Sequence, residues 1–266
     1  MEPTYIQFLQ YKFGWSDEIV TSVAWKSLSM AISGLHRDVV LTKICNDLLP
    51  TASTLFKIKY QYQDTCTLCS KTDTRDRLLR CNEKSRIDWR RQMLTALRSR
   101  FIYLETDFSL AETFCTAVAE WIQTKTVNVS TYSVKFHKAI NTQSHIGWRH
   151  IFSGKLSQEW LHLQEQNTKV SIGRKRLSYV WGASIIEVLL KHFILLWELR
   201  NEEVHGKTAE KQEHMRKTKL SESVRKLNNQ KDQARPGDMC LFHEDIDEHI
   251  EKSTAQTIAS YISSHK

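Results

Sequence analysis

The sequence predicts an all-α protein, a multi-helix bundle interrupted by one small cysteine-knuckle loop. Three observations carry this. The 266 residues include only 3 prolines and 8 glycines, where average usage gives about 13 and about 18. The turn chemistry of a β-sandwich or a glycine-rich nucleotide fold is therefore scarce. Apolar residues make up 41% of the chain, enough for a substantial core, and they recur at spacings of three and four. Six cysteines over this length, with no cleavable signal pattern in residues 1–12, favour reduced thiols or metal chemistry over a secreted disulfide scaffold. The expected setting is intracellular, nuclear or cytoplasmic.

Taken in order, Val20, Val23, Ala24, Leu28 and Ile32 place one helix over residues 16–33. An apolar run at 39–49 leads to Pro50, which suits the first turn of a following element. Residues 64–76 are polar and form the main loop. Residues 78–101 read as one long basic helix with Ile87, Leu94 and Leu97 inward, and 110–122, 132–140 and 156–166 as three more helices. The stretch 174–205 carries the most apolar run, 180–199. Glu187, Lys191, His192 and Glu198 lie within it, at about 3 kcal/mol each to insert into lipid, so it reads as a central buried helix and no membrane partner is expected. Residues 207–235 hold nine basic and four acidic side chains and read as a solvated helix or arm. After a turn at 235–238, Phe242, Ile246 and Ile250 mark an acidic helix, with Glu244 and Asp247, that would fold back on the basic one. The organisation expected is an N-terminal helical segment (1–60), a knuckle-like loop and basic helix (61–101), a helical domain (102–206) and a charged extension (207–266).

Cys66-Thr67-Leu68-Cys69 followed by Cys81 makes a C-x2-C-x11-C cluster, with two thiols presented to one ion and a third ligand on the next helix, the spacing of a structural zinc site. Zinc is thus the expected cofactor. Tetrahedral zinc takes four ligands, and position 77, on the face of Cys81, holds Arg77, which has no lone pair to give. Asp73, Asp76, Cys45 and His36 are the remaining protein candidates.

These residues resemble a known family. Trp25-Lys26-Ser27-Leu28, Lys43, Leu48-Leu49-Pro50-Thr51, Leu55, the Cys66/Cys69 pair, Leu78-Leu79 and Cys81 are similar to the zinc-binding region downstream of the polymerase core in LINE-type reverse transcriptases, as in retroelement-derived proteins of unicellular algae. Gly14-Trp15-Ser16-Asp17, Ile146-Gly147-Trp148-Arg149 and Trp197 with Arg200-Asn201 and His205-Gly206 extend the resemblance over about residues 6–206. The family places a histidine where Arg77 stands. The resemblance implies zinc at Cys66, Cys69 and Cys81 and a nucleic-acid partner. A polymerase needs paired metal-binding carboxylates, and no Asp-Asp dipeptide occurs; the expectation is a non-catalytic remnant, not an enzyme.

Nine basic residues lie between positions 75 and 100 against three acidic ones. With Trp89 and Phe101 interleaved, they suit phosphate contact and base stacking. Arg75, Arg80, Lys84, Arg86, Arg90 and Arg91 are the candidate contacts to RNA or DNA. One alternative is catalytic. Arg200, Asn201 and His205 form an R-x4-H string that resembles the motif of helical HEPN ribonucleases, with His205 as acid or base and Arg200 on the phosphorane charge. Another is a protein-interaction module formed by the charged C-terminal helices.

Overall fold

The computed structural model describes residues 3–35, 39–60, 63–168, 178–206, 208–229 and 245–264. Its helices are α1 (Pro3–Phe13), α2 (Asp17–Ser22), α3 (Trp25–Gly34), α4 (Val39–Cys45), α5 (Ala52–Lys57), α6 (Arg75–Arg80), α7 (Lys84–Tyr103), α8 (Phe108–Thr124), α9 (Val134–Ile146), α10 (Gln158–Thr168), α11 (Ser178–His205), α12 (Ala209–Asn228), α13 (Ile246–Lys252) and α14 (Ala255–Ser264). Among the described residues there is no β-strand, only two isolated bridges. The protein is all-α, with a small cysteine loop between α5 and α6. His36, the basic string at 173–176, the turn at 235–238, Phe242 and Glu244 lie outside the described residues.

The chain divides into two compact units, Met1–Trp197 and Glu198–Lys266, and not at positions 60, 101 and 206. One buried cluster runs from Ala24 through Leu79, Trp89, Phe114 and Trp160 to Trp197, so the three segments expected before residue 207 share a core. α11 explains why. It is long and apolar enough to cross a bilayer, yet 61% of its most apolar window is buried inside the protein. Leu189, Leu190, Phe193 and Leu196 are fully enclosed, each contributing about 1.5–3 kcal/mol. Trp89 ties α7 to α11 through Nε1 on the His192 carbonyl at 2.7 Å.

Two expected helices are each broken in two, for reasons that lie elsewhere in the chain. The segment 16–33 breaks at Val23–Ala24 because the strand-like stretch before α10 captures its backbone: Ala24 N–H donates to the Leu156 carbonyl at 2.8 Å, and Gln158 Nε2 donates to the carbonyls of Thr21 and Val23. The segment 78–101 breaks at Cys81, whose backbone is extended. Arg90 Nη1, reaching back from α7, donates to the carbonyls of Leu79 and Cys81 at 3.0 and 2.8 Å, satisfying acceptors that a helix end leaves open.

In the second unit α12 supplies the expected basic helix. Val224 packs with Ile250, Ile258, Tyr261 and Ile262, and Arg225 meets Asp247 at 2.8 Å, so the acidic α13 does lie on the basic α12. α14 closes that core and is not foreseen from the sequence.

Four cations converge on the C-terminal end of α4, where exposed carbonyls favour positive charge. Lys155 Nζ donates to the Cys45 carbonyl. Arg75 Nη1 donates to the Ile44 carbonyl at 3.3 Å and Asp47 Oδ1 at 2.7 Å. Lys12 Nζ holds the Asn46 and Asp47 carbonyls, and Arg149 Nη2 stands 3.6 Å from Asp47 Oδ2. Lys155 has no exposed surface. Burial, helped by Arg75, pulls its ammonium down to about 7. In the unfolded chain a lysine titrates near 10.4, so between about pH 7 and 10 the unfolded state binds the extra proton and stability rises with pH. Urea unfolding should show wild type gaining stability across this window and Lys155→Met failing to gain it; parallel pH profiles for the two proteins would contradict this role.

Candidate metal centre and cationic groove

The cysteine loop is built by local backbone pairing. Thr65 and Thr72 form an antiparallel bridge, Cys66 N–H donates to the Lys71 carbonyl at 2.7 Å, and Ser70 N–H closes the turn on the Cys66 carbonyl at 2.9 Å. Ser70 takes a positive φ of 57° to do so. The Thr74 hydroxyl then accepts from Arg77 N–H and starts α6, which delivers Cys81 at its far end. The sulfurs of Cys66, Cys69 and Cys81 lie within 4.8 Å of one another. Three soft thiol donors at this separation suit a thiophilic divalent cation.

The loop is also joined to the Leu-Pro-Thr segment. Thr51 caps α5, and Asp73 Oδ2 accepts from Ala52 N–H at 3.0 Å, while its carbonyl accepts from Ser53 N–H. Asp73 is thereby committed to α5. Among the described residues no carboxylate, histidine or further cysteine joins the three sulfurs; Asp73, Asp76 and Cys45 are therefore not ligands in this arrangement. The group beside the sulfurs is Arg77, whose Nε and Nη2 donate to Cys69 Sγ at 3.3 and 3.1 Å. Burial opposes a Cys69 thiolate, but the Lys71 N–H, Arg77 and the neighbouring thiols outweigh it and bring Cys69 down to about 7. Cys81 moves the other way, raised chiefly by burial.

A groove of about 1040 Å³ opens beside this loop. Lys71 lines it from the loop, Arg77 and Arg80 from α6, Arg90 and Arg91 from α7, Lys125 from the end of α8 and Arg149 from the turn after α9, with Asp76 the one carboxylate among them. Two of these arginines are fixed in place. Arg80 Nε and Nη2 donate to the carbonyls of Ile122 and Gln123 at 2.8 and 3.1 Å, and Arg90 is held by Leu79 and Cys81. Each keeps N–H groups free of these bonds, since a guanidinium has five. Between the cations lie Ile87, Leu94 and Ala119, with Trp121, Ile122 and Trp148 buried beneath.

The six expected nucleic-acid contacts divide. Arg80, Arg90 and Arg91 line the groove. Lys84 is exposed at the start of α7 but outside it. Arg75, 8% exposed, and Arg86, 2% exposed, are corrections: both point into the first unit and reach no surface phosphate. The signal for Arg86 was present, because positions 86, 89, 93 and 97 form one helical stripe with Trp89, Met93 and Leu97, all buried. Four groove cations were not among the six: Arg77, which belongs to the basic stretch, and Lys71, Lys125 and Arg149, which sequence reasoning missed because they arrive from the cysteine loop, the C-cap of α8 and the short 3-10 helix after α9.

The catalytic alternative is only partly assembled. Arg200 Nη1 donates to Asn201 Oδ1 at 3.3 Å, and His205 is lowered by burial, Lys219 and Arg200. Arg200 is itself buried at 6% exposure, and a buried guanidinium is not placed to meet a substrate phosphate. Gly206 ends α11 with a φ of +92°, the helix-stop role glycine serves.

Comparison with protein-family models, curated protein sequences and solved structures finds no match for this chain.

Proposed function

We propose that this protein is a non-catalytic nucleic-acid-binding protein, a remnant of a retroelement reverse transcriptase, that holds RNA or DNA in the cationic groove. The observation that carries the reading is the gathering of seven cations from five elements, against one carboxylate, into one concave site. Such an arrangement binds polyphosphate largely by counterion release, and arginines already pinned by backbone carbonyls lose little freedom on binding. The three-cysteine loop forms one end of the groove, and zinc held by Cys66, Cys69 and Cys81 would serve there as a structural brace.

Fluorescence anisotropy with labelled oligonucleotides tests this. With about four phosphate contacts, the log–log dependence of affinity on salt has a slope near −3 for a single strand, about fiftyfold weaker binding between about 50 and 200 mM salt. Absence of binding at low salt overturns the proposal.

A further inference from the structure

We infer that the groove takes a single-stranded polynucleotide in preference to a duplex, with bases against its apolar lining and phosphates on its cations. This rests on the nucleic-acid reading above and adds the form of the ligand.

The shape of the site favours a single strand. Proteins read duplex DNA by inserting a protruding helix or ribbon into the major groove. Here the cations surround a concavity, α6 has only 6 residues, and α7 is fastened to the core by Trp89, Met93, Leu97 and Phe101. A duplex is stiff and would meet only the outermost charges. A single strand bends and can follow the cleft.

Its lining favours one as well. Ile87 remains 41% exposed in a site where Arg90 and Arg91 are its neighbours, and Leu94 and Ala119 continue the apolar surface. The outer surface of a duplex is phosphate and sugar, so this apolar lining would stay wet against it. Unpaired bases present apolar faces that cover it. The guanidinium planes of Arg80 and Arg90, fixed by carbonyls, offer further flat surfaces of the kind on which bases stack. Charge from several sides with an apolar interior is the general construction of single-strand channels.

The test is a titration of the full chain with labelled oligo(dT), oligo(U) and a mixed-sequence duplex of equal length. The expected result is at least tenfold tighter binding of oligo(dT) or oligo(U) than of the duplex. Ile87→Ser, at a half-exposed position and checked for an unchanged unfolding midpoint, should weaken single-strand binding about fivefold or more with no change in salt slope, and leave duplex binding unaltered. Duplex binding as tight as or tighter than that of both single strands, or an Ile87→Ser variant with wild-type single-strand affinity, overturns the inference while leaving the nucleic-acid reading standing. No binding of any of the three overturns that reading itself.

Discussion

Replacing Arg75 by methionine is expected to destabilise the Met1–Trp197 unit by about 3–5 kcal/mol, the cost of leaving one member of a buried ion pair alone. Arg75 joins three parts of the chain. Its Nη1 holds Asp47 and the Ile44 carbonyl, its Nη2 donates to Ser153 Oγ at 2.6 Å, and its guanidinium lies 4.7 Å over the Phe193 ring of α11. Methionine restores the apolar contact and none of the polar ones. Burial on its own would raise the Asp47 carboxyl; the charge and hydrogen bond of Arg75, with Arg149, overcome this and hold it below the usual range. A depressed carboxylate contributes stability that is present above its unfolded value, near 3.9, and lost as pH falls through the folded value. Arg75→Met should therefore be weaker at pH 7 and lose less than wild type on acidification. All eight tryptophans precede residue 198, so their fluorescence during urea unfolding reports this unit alone. A loss below about 1 kcal/mol at pH 7 would mean that Lys12 and Arg149 suffice for Asp47 and that Arg75 does not join these parts of the chain.

Arg77→His is expected to raise zinc affinity by at least tenfold and to bring the stoichiometry to one ion per chain. Arg77 stands on α6, whose end supplies Cys81, and its side chain already reaches Cys69. An imidazole from the same position offers the lone pair that guanidinium lacks, completing four ligands in C-x2-C-x7-H-x3-C order. Competition against a chromophoric chelator measures the gain, and Cys66→Ser in the Arg77→His background should abolish it. Equal affinity for wild type and Arg77→His would show that position 77 does not face the ion and that the loop is held by thiol and guanidinium contacts alone.

Much of this architecture is legible in the sequence because helix periodicity and the scarcity of proline and glycine bear directly on it. The buried α11, the knuckle and the pairing of α12 with α13 all follow from spacing and charge. What periodicity cannot show is a backbone partner far along the chain. Arg80 binds carbonyls 42 and 43 residues away, and Ala24 is drawn out of a helix by Leu156, so both helix breaks were hidden. Charge in a sequence also reads as surface by default. Arg75 and Arg86 read as part of the basic patch and Lys155 as part of no pattern, although the apolar neighbours Ile151, Phe152 and Leu156 place Lys155 in a stretch that is buried throughout. The groove is a tertiary object: half-buried Arg77, Arg80 and Arg90 come from one stretch of chain, and Lys125 and Arg149 arrive from others.

Whether these dispersed cations act together on phosphate is read from the salt dependence of single-strand affinity in Lys125→Ala and Arg91→Ala. Lys125 is exposed, and the Arg91 side chain is 73% exposed with only a surface contact to Asp88, so neither change should disturb the fold. Each is predicted to weaken oligo(dT) binding at low salt and to flatten the log–log slope by about 0.7, one phosphate contact apiece, with the double variant flattening it by the sum. Slopes identical to wild type in both variants would contradict this joint action, since the groove would then be cationic without being the place where phosphate is held.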